Sequence, residues 1–128
     1  MSGRHYLLDT NAVIQYLAGN EELAALVAEA EFLAISVISK LEFLSFPNLS
    51  AEDRAILEEF LRRVTVFDVL SGDVEQMSLT TIMRSQFGLK MPDAIIAATA
   101  AVAGCQVVTA DEHFKKQTLV PVVTFRPI

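Results

Sequence analysis

His5–Gly19 reads HYLLDTNAVIQYLAG. Tyr6, Leu7 and Leu8 form a short apolar run of strand length. Asp9, Thr10 and Asn11 follow at once, and each carries a short polar side chain able to accept a hydrogen bond from the free N–H groups of a starting helix. Gly19 is a natural stop for that helix. The segment is therefore a buried strand, a turn and a helix, with an acid at the strand's carboxyl end.

Working outward, the same unit recurs. Leu23, Leu26, Val27 and Ala30 repeat at helical spacing. Phe32–Ser36 (FLAIS) reads as a second buried strand leading into the helix VISKLEFLSF, which Pro47 and Asn48 close. Residues 51–64 read as an amphipathic helix, with Ile56, Leu57, Phe60, Leu61 and Val64 on one face and Glu52, Asp53, Glu58, Glu59 and Arg62 on the other. TVFDVL is strand-like, and Ser71 or Asp73 can cap a helix running to about Phe87, ended by Gly88. Pro92 opens a small-residue helix, DAIIAATAAVA, which Gly104 terminates. CQVVT supplies a strand, DEHF a short helical turn and VPVVTF a last strand. Strands alternating with helices predict one α/β domain over residues 1–128 with a mainly parallel sheet.

Composition narrows the class. Hydrophobic residues make up 52% of the 128 and charged residues 20%, enough to fill one core. No apolar stretch is long enough to span a bilayer, and Arg4 and His5 lead straight into the first strand without the pattern of a secretory leader, so a cytoplasmic protein is expected. The single cysteine, Cys105, excludes an internal disulfide and a cysteine-based metal site, and sits in the apolar run CQVV as a buried structural thiol. A net charge of −6 disfavours a protein that grips long duplexes, but not an enzyme that meets phosphate through cations.

Four acids stand out by position. Asp9 and Asp111 each follow a strand, Asp93 sits just after Pro92 at a helix start, and Glu42 lies on the helix after FLAIS. Ligand sites of open α/β sheets form beyond the carboxyl ends of the strands, so the four are placed to converge. Two carboxylates 5 Å apart repel by roughly 3 kcal/mol at an effective dielectric near 20; four together need a divalent cation or must take up protons. Oxygen donors without His or Cys favour Mg²⁺ or Mn²⁺ over zinc. Each acid also has a purely structural reading: Asp9 as an N-cap, Glu42 paired with Ser39 in a capping box, Asp93 at a helix dipole, Asp111 capping the DEHF turn.

These segments resemble the PIN-domain ribonucleases, and within them the VapC-type toxins of toxin–antitoxin pairs. LLDTNAVIQYL resembles the first family motif, ISKLEFL the second, MPDAIIAATA the third and VVTADEHF the last, in family order over residues 7–114. The resemblance implies a three-layer α/β/α sandwich and an Mg²⁺- or Mn²⁺-dependent endoribonuclease with Asp9, Glu42, Asp93 and Asp111 as metal ligands. It also implies Asn11, Ser39 and Thr109 as residues that orient those carboxylates, with Glu112 able to assist or replace Asp111. RNA, a co-encoded antitoxin and a second copy of the chain are the implied partners. A non-toxin RNA-processing nuclease, a DNA enzyme of the same fold and an inactive binding module stay open. Lys40, Arg84, Lys90, Lys115 and Lys116 lie near the motifs as candidate RNA contacts or surface charges. Phe87 and Phe114 are expected in the core, and His113 on a solvent-facing turn.

Overall fold

The computed structural model describes residues 3–128. Five strands, β1 (His5–Leu8), β2 (Phe32–Ser36), β3 (Thr65–Phe67), β4 (Gln106–Thr109) and β5 (Val122–Thr124), form one sheet in the order β3-β2-β1-β4-β5. Every pairing is parallel. A parallel sheet has both faces covered, so its central strands are apolar on both sides: Leu7 and Leu8 of β1 and Val107 and Val108 of β4 are all fully buried.

Alternation along the strands sorts these residues into two cores. Leu7, Ala34 and Val107 face one side, against Met83, Leu89, Ile96, Ala97 and Phe114. Tyr6, Leu8, Ile35 and Val108 face the other, against Val13, Leu23, Phe43, Leu57 and Phe60. The second side is roofed by α1 (Thr10–Leu17), α2 (Glu21–Glu29), α3 (Val37–Leu44) and α4 (Ala51–Leu61); the first by α5 (Val74–Ser85) and α6 (Met91–Ala103). The fold is thus a three-layer α/β/α sandwich, as anticipated.

Several boundaries differ from the sequence reading: α3 ends at Leu44 rather than running on to Phe46, and β5 is confined to Val122–Thr124 within the VPVVTF run. α4 ends at Leu61 rather than at residue 64, because the chain must turn through Arg62–Val64 to enter β3. The TVFDVL strand shrinks to Thr65–Phe67, since β3 is an edge strand paired only with β2, and Leu70 beyond it is exposed.

The topology selects one place for a site. From β1 the chain moves outward to β2 and β3, then crosses to β4 on the other flank of β1. The connections therefore diverge above β1 and β4, opening a crevice at their carboxyl ends.

Candidate active site

Asp9 is the first residue past β1. Its backbone N–H donates to Val108 O (3.1 Å), and its side chain caps α1 by accepting from Ala12 N at 2.8 Å. The second carboxylate oxygen accepts a 2.5 Å hydrogen bond from Thr109 Oγ1 at the end of β4. Thr109 Oγ1 in turn accepts from Asp111 N at 2.9 Å. One buried hydroxyl thus ties the carboxyl ends of the two central strands together and fixes both acids.

Asp111 caps the 3₁₀ turn Glu112–Lys116 (η1) through His113 N (2.8 Å), and His113 Nδ1 stands 3.2 Å from the same oxygen. Asp93 enters from the other side of the sheet, in the first turn of α6, where Pro92 removes an N–H the helix does not need.

Glu42 reaches in from α3. Ser36 caps α3, so Ser39 and Glu42 lie within the helix rather than forming its capping box. At a spacing of three they share one face and meet Thr10. Thr10 Oγ1 donates to Glu42 Oε1 at 2.5 Å and lies 3.0 Å from Ser39 Oγ. A hydroxyl carries one proton, so Ser39 donates in that second contact.

Thr10 is the residue the sequence reading missed; the signal was its place beside the capping acid, on the first helical turn. Asn11, expected to hold a carboxylate, is exposed, and its side chain bonds to none of the four acids. Phe114 is fully buried and Phe87 packs on the core, so neither ring is free to stack on a base.

The four acids sense one another. Burial pushes the Asp9 carboxyl up to about 6, against the hydrogen bonds from Thr109 and Ala12, with the charges of Asp93 and Asp111 adding to the rise. Burial also raises Asp93, helped by Asp111 and Glu42 and opposed by Lys90 and His113. Among the described residues, however, no three His, Cys, Asp or Glu side chains stand as a group that could hold a metal ion. Three of the acids are turned to protein donors instead: Asp9 to Thr109 and Ala12, Glu42 to Thr10, Asp111 to His113. Like charges relax in this way, by separating and taking local donors.

The donor set suits a hard divalent cation. It is all carboxylate oxygen apart from the flanking His113, and a cation would offset both the burial that chiefly lifts Asp9 and Asp93 and the neighbouring charges that add to it.

The family model for the PIN domain matches residues 6–118, which includes all four acids. This chain belongs to the PIN domain family. Solved structures share the arrangement over nearly the whole domain. A toxin–antitoxin complex from Klebsiella pneumoniae has a chain 26% identical, with a TM-score of 0.78 over 96% of this PIN domain and 99% of that chain. VapBC2 from Rickettsia felis, bound to a DNA fragment from their promoter, matches at 21% identity with a TM-score of 0.77 over 94% and 98%. VapBC-1 from nontypeable Haemophilus influenzae matches at 24% with a TM-score of 0.72 over 93% and 96%. At the two lower identities the likeness speaks to fold alone. No curated protein sequence matches the chain.

Proposed function

We propose that this PIN domain is a divalent-metal-dependent endoribonuclease and the toxin of a type II toxin–antitoxin pair. The observation that carries the reading is the electrostatic coupling of four acids from four separate segments, Asp93 with Asp9, Asp111 and Glu42, and Asp9 with Asp111. The toxin–antitoxin complex from Klebsiella pneumoniae, 26% identical over nearly the whole chain, supports the second half.

In this reading Asp9, Glu42, Asp93 and Asp111 hold one or two Mg²⁺ or Mn²⁺ ions. Bound there, such a cation would supply charge neutralisation and Lewis-acid activation of water for RNA phosphodiester hydrolysis, which would leave 5′-phosphate and 3′-hydroxyl ends. The chain's own residues supply preorganisation. Thr109 and the Ala12 N–H fix both oxygens of Asp9, and Thr10, steadied by Ser39, fixes Glu42. Groups held in this way need no reordering when substrate arrives.

Partner surfaces fit the same proposal. An apolar groove of about 300 Å³, lined by Ile14, Leu17, Phe43, Phe46, Leu49 and Ile56, runs between α1, α3 and α4. Phe46 and Ile56 stay 46% and 40% exposed there, which is uncovered apolar surface of the kind that marks an interface. We assign it to an antitoxin segment, and we expect the isolated chain to pair as a homodimer, a state that light scattering measures. No helix among the described residues is long and apolar enough to cross a membrane. With cellular RNA as the proposed substrate, we expect the enzyme to act in the cytoplasm.

The test is incubation of the purified chain with structured RNA and with DNA, each with Mg²⁺, Mn²⁺ or EDTA. RNA cleavage abolished by EDTA is the expected result. Cleavage of DNA alone indicates a DNA enzyme on this fold, and binding without cleavage a non-catalytic module; either overturns the proposal. Co-expression with the small reading frame beside the gene tests the antitoxin assignment, since a cognate inhibitor suppresses cleavage.

A further inference from the structure

The acidic site has two flanks of opposite character. On one side a cleft of about 900 Å³ is lined by Glu21, Glu22 and Glu112, with Arg126 as its cation. On the other, a cleft of about 360 Å³ between α5 and α6 is lined by Thr80, Thr81, Arg84, Ser85 and Met91, and contains no acid. Met91 lines the smaller cleft, and the next residue, Pro92, lines a further hollow shared with Thr10 and Glu42. Adjacent residues at the start of α6 thus line both the Arg84 cleft and the hollow at Glu42.

Arg84 is built into this flank. Its Nη1 donates to Leu89 O at 3.2 Å, and Leu89 N donates to Met83 O at 3.1 Å, so the guanidinium is anchored on the turn that delivers Lys90 and α6. Among the described residues it makes no ion pair, and a guanidinium has five N–H donors, so several remain open to solvent. Lys90, the residue after Leu89, caps no backbone group with its side chain, and its charge reaches Asp93. The balance of charge favours this flank for a polyanion, since Glu21 and Glu22 line the other, where Glu112 is paired with Lys115.

We propose that Arg84, with the hydroxyl of Ser85 and the ammonium of Lys90, forms a phosphate-binding subsite. It holds an RNA phosphate neighbouring the one cleaved, so that the strand crosses the α5–α6 edge and leaves the opposite flank free. The subsite rests on the ribonuclease reading above. Because it grips a part of the substrate that does not react, it contributes equally to ground state and transition state, and so acts on KM rather than kcat.

The experiment is steady-state cleavage of a labelled single-stranded RNA with Mg²⁺ by the full chain, over a range of salt concentrations. Arg84→Gln keeps a donor for the Leu89 carbonyl and removes the charge, Arg84→Lys keeps the charge and loses the fork, and Arg54→Ala on the exposed face of α4 is the control. Arg84→Gln is expected to raise KM by about tenfold with kcat unchanged. It should also flatten the dependence of log(kcat/KM) on log salt by about 0.7, one phosphate contact on a single strand. Arg84→Lys should keep the salt slope with a smaller rise in KM, and Arg54→Ala should match wild type. RNA cleavage with KM and slope unmoved in Arg84→Gln overturns the subsite and spares the ribonuclease reading. A fall in kcat alone, with KM and slope at wild type, overturns it too, since that marks a structural role. A wild-type chain that cleaves no RNA overturns both.

Discussion

Asp9 and Asp111 occupy equivalent places in two neighbouring strand–turn–helix units, yet one is buried and the other exposed. Both follow a central parallel strand, both cap the next helix, and both bond to Thr109. Asp9 is only 5% exposed beneath α1, whereas the Asp111 side chain keeps 44% exposure on a 3₁₀ turn. Local motif thus decides where an acid stands, and the depth of the layer above it decides its charge. A strand-end aspartate covered by a full helix becomes a strained group; one covered by a single turn stays open to solvent.

The contrast breaks most sharply at Asp9→Asn. Loss of that charge should lower RNA cleavage by about a thousandfold, some 4 kcal/mol of transition-state stabilisation. The variant should fold normally, because an asparagine oxygen still caps α1. Without metal at pH 7 it should be more stable than wild type by about 1–3 kcal/mol, read by denaturant titration. A collapse in melting temperature would instead make Asp9 chiefly a structural cap.

pH sharpens the same point. The unfolded chain releases the Asp9 proton near 3.8, the folded chain near 6. Between those values the folded state holds more protons, so metal-free stability falls as pH rises through the window, by about 3 kcal/mol in all. Asp93 is raised too and contributes in the same direction. The difference between wild type and Asp9→Asn, measured in EDTA from pH 3.5 to 7, isolates the buried group. Mg²⁺ should reverse the trend near neutrality, because a cation stabilises whatever state binds it. A wild-type curve parallel to that of the variant would mean that Asp9 titrates as an exposed acid.

Thr109→Val tests the bridge between the two acids. It preserves shape but leaves the Asp9 carboxylate short of a donor and the Asp111 N–H short of an acceptor. The expected loss is about 1–3 kcal/mol, recovered by Thr109→Ser. Equal stability of the Val and Ser variants would show that the hydroxyl carries no weight.

Most of this frame was legible before any coordinates. Apolar runs of four or five residues, each ending in a polar cap, located β1, β2 and β4, because parallel strands buried on both faces leave no room for polar residues. Asp9, Asp93 and Asp111 could be placed for the same reason: strand ends and helix starts are marked by caps and proline. The partners of the carboxylates were harder to read. Thr10, rather than Asn11, reaches Glu42, because α1 turns the next residue out to solvent, a matter of about 100° of helix rotation per residue that spacing alone leaves open. The length of α4 was overestimated because Val64 suits a helix and a turn equally, and only the entry into β3 decides between them.

The smallest effects are expected on the exposed side of the comparison. Asp111→Asn keeps the cap to His113 N, and His113→Ala removes a contact between two side chains 62% and 44% exposed. Surface pairs of this kind contribute little, so each change should shift stability by less than about 0.5 kcal/mol. Activity should separate the two, with Asp111→Asn losing cleavage through weaker metal affinity while His113→Ala stays near wild type. Because Glu112 adjoins Asp111, the double variant Asp111→Asn, Glu112→Gln should lose more than the two single losses combined if one acid substitutes for the other. Strict additivity would instead assign the position to Asp111 alone.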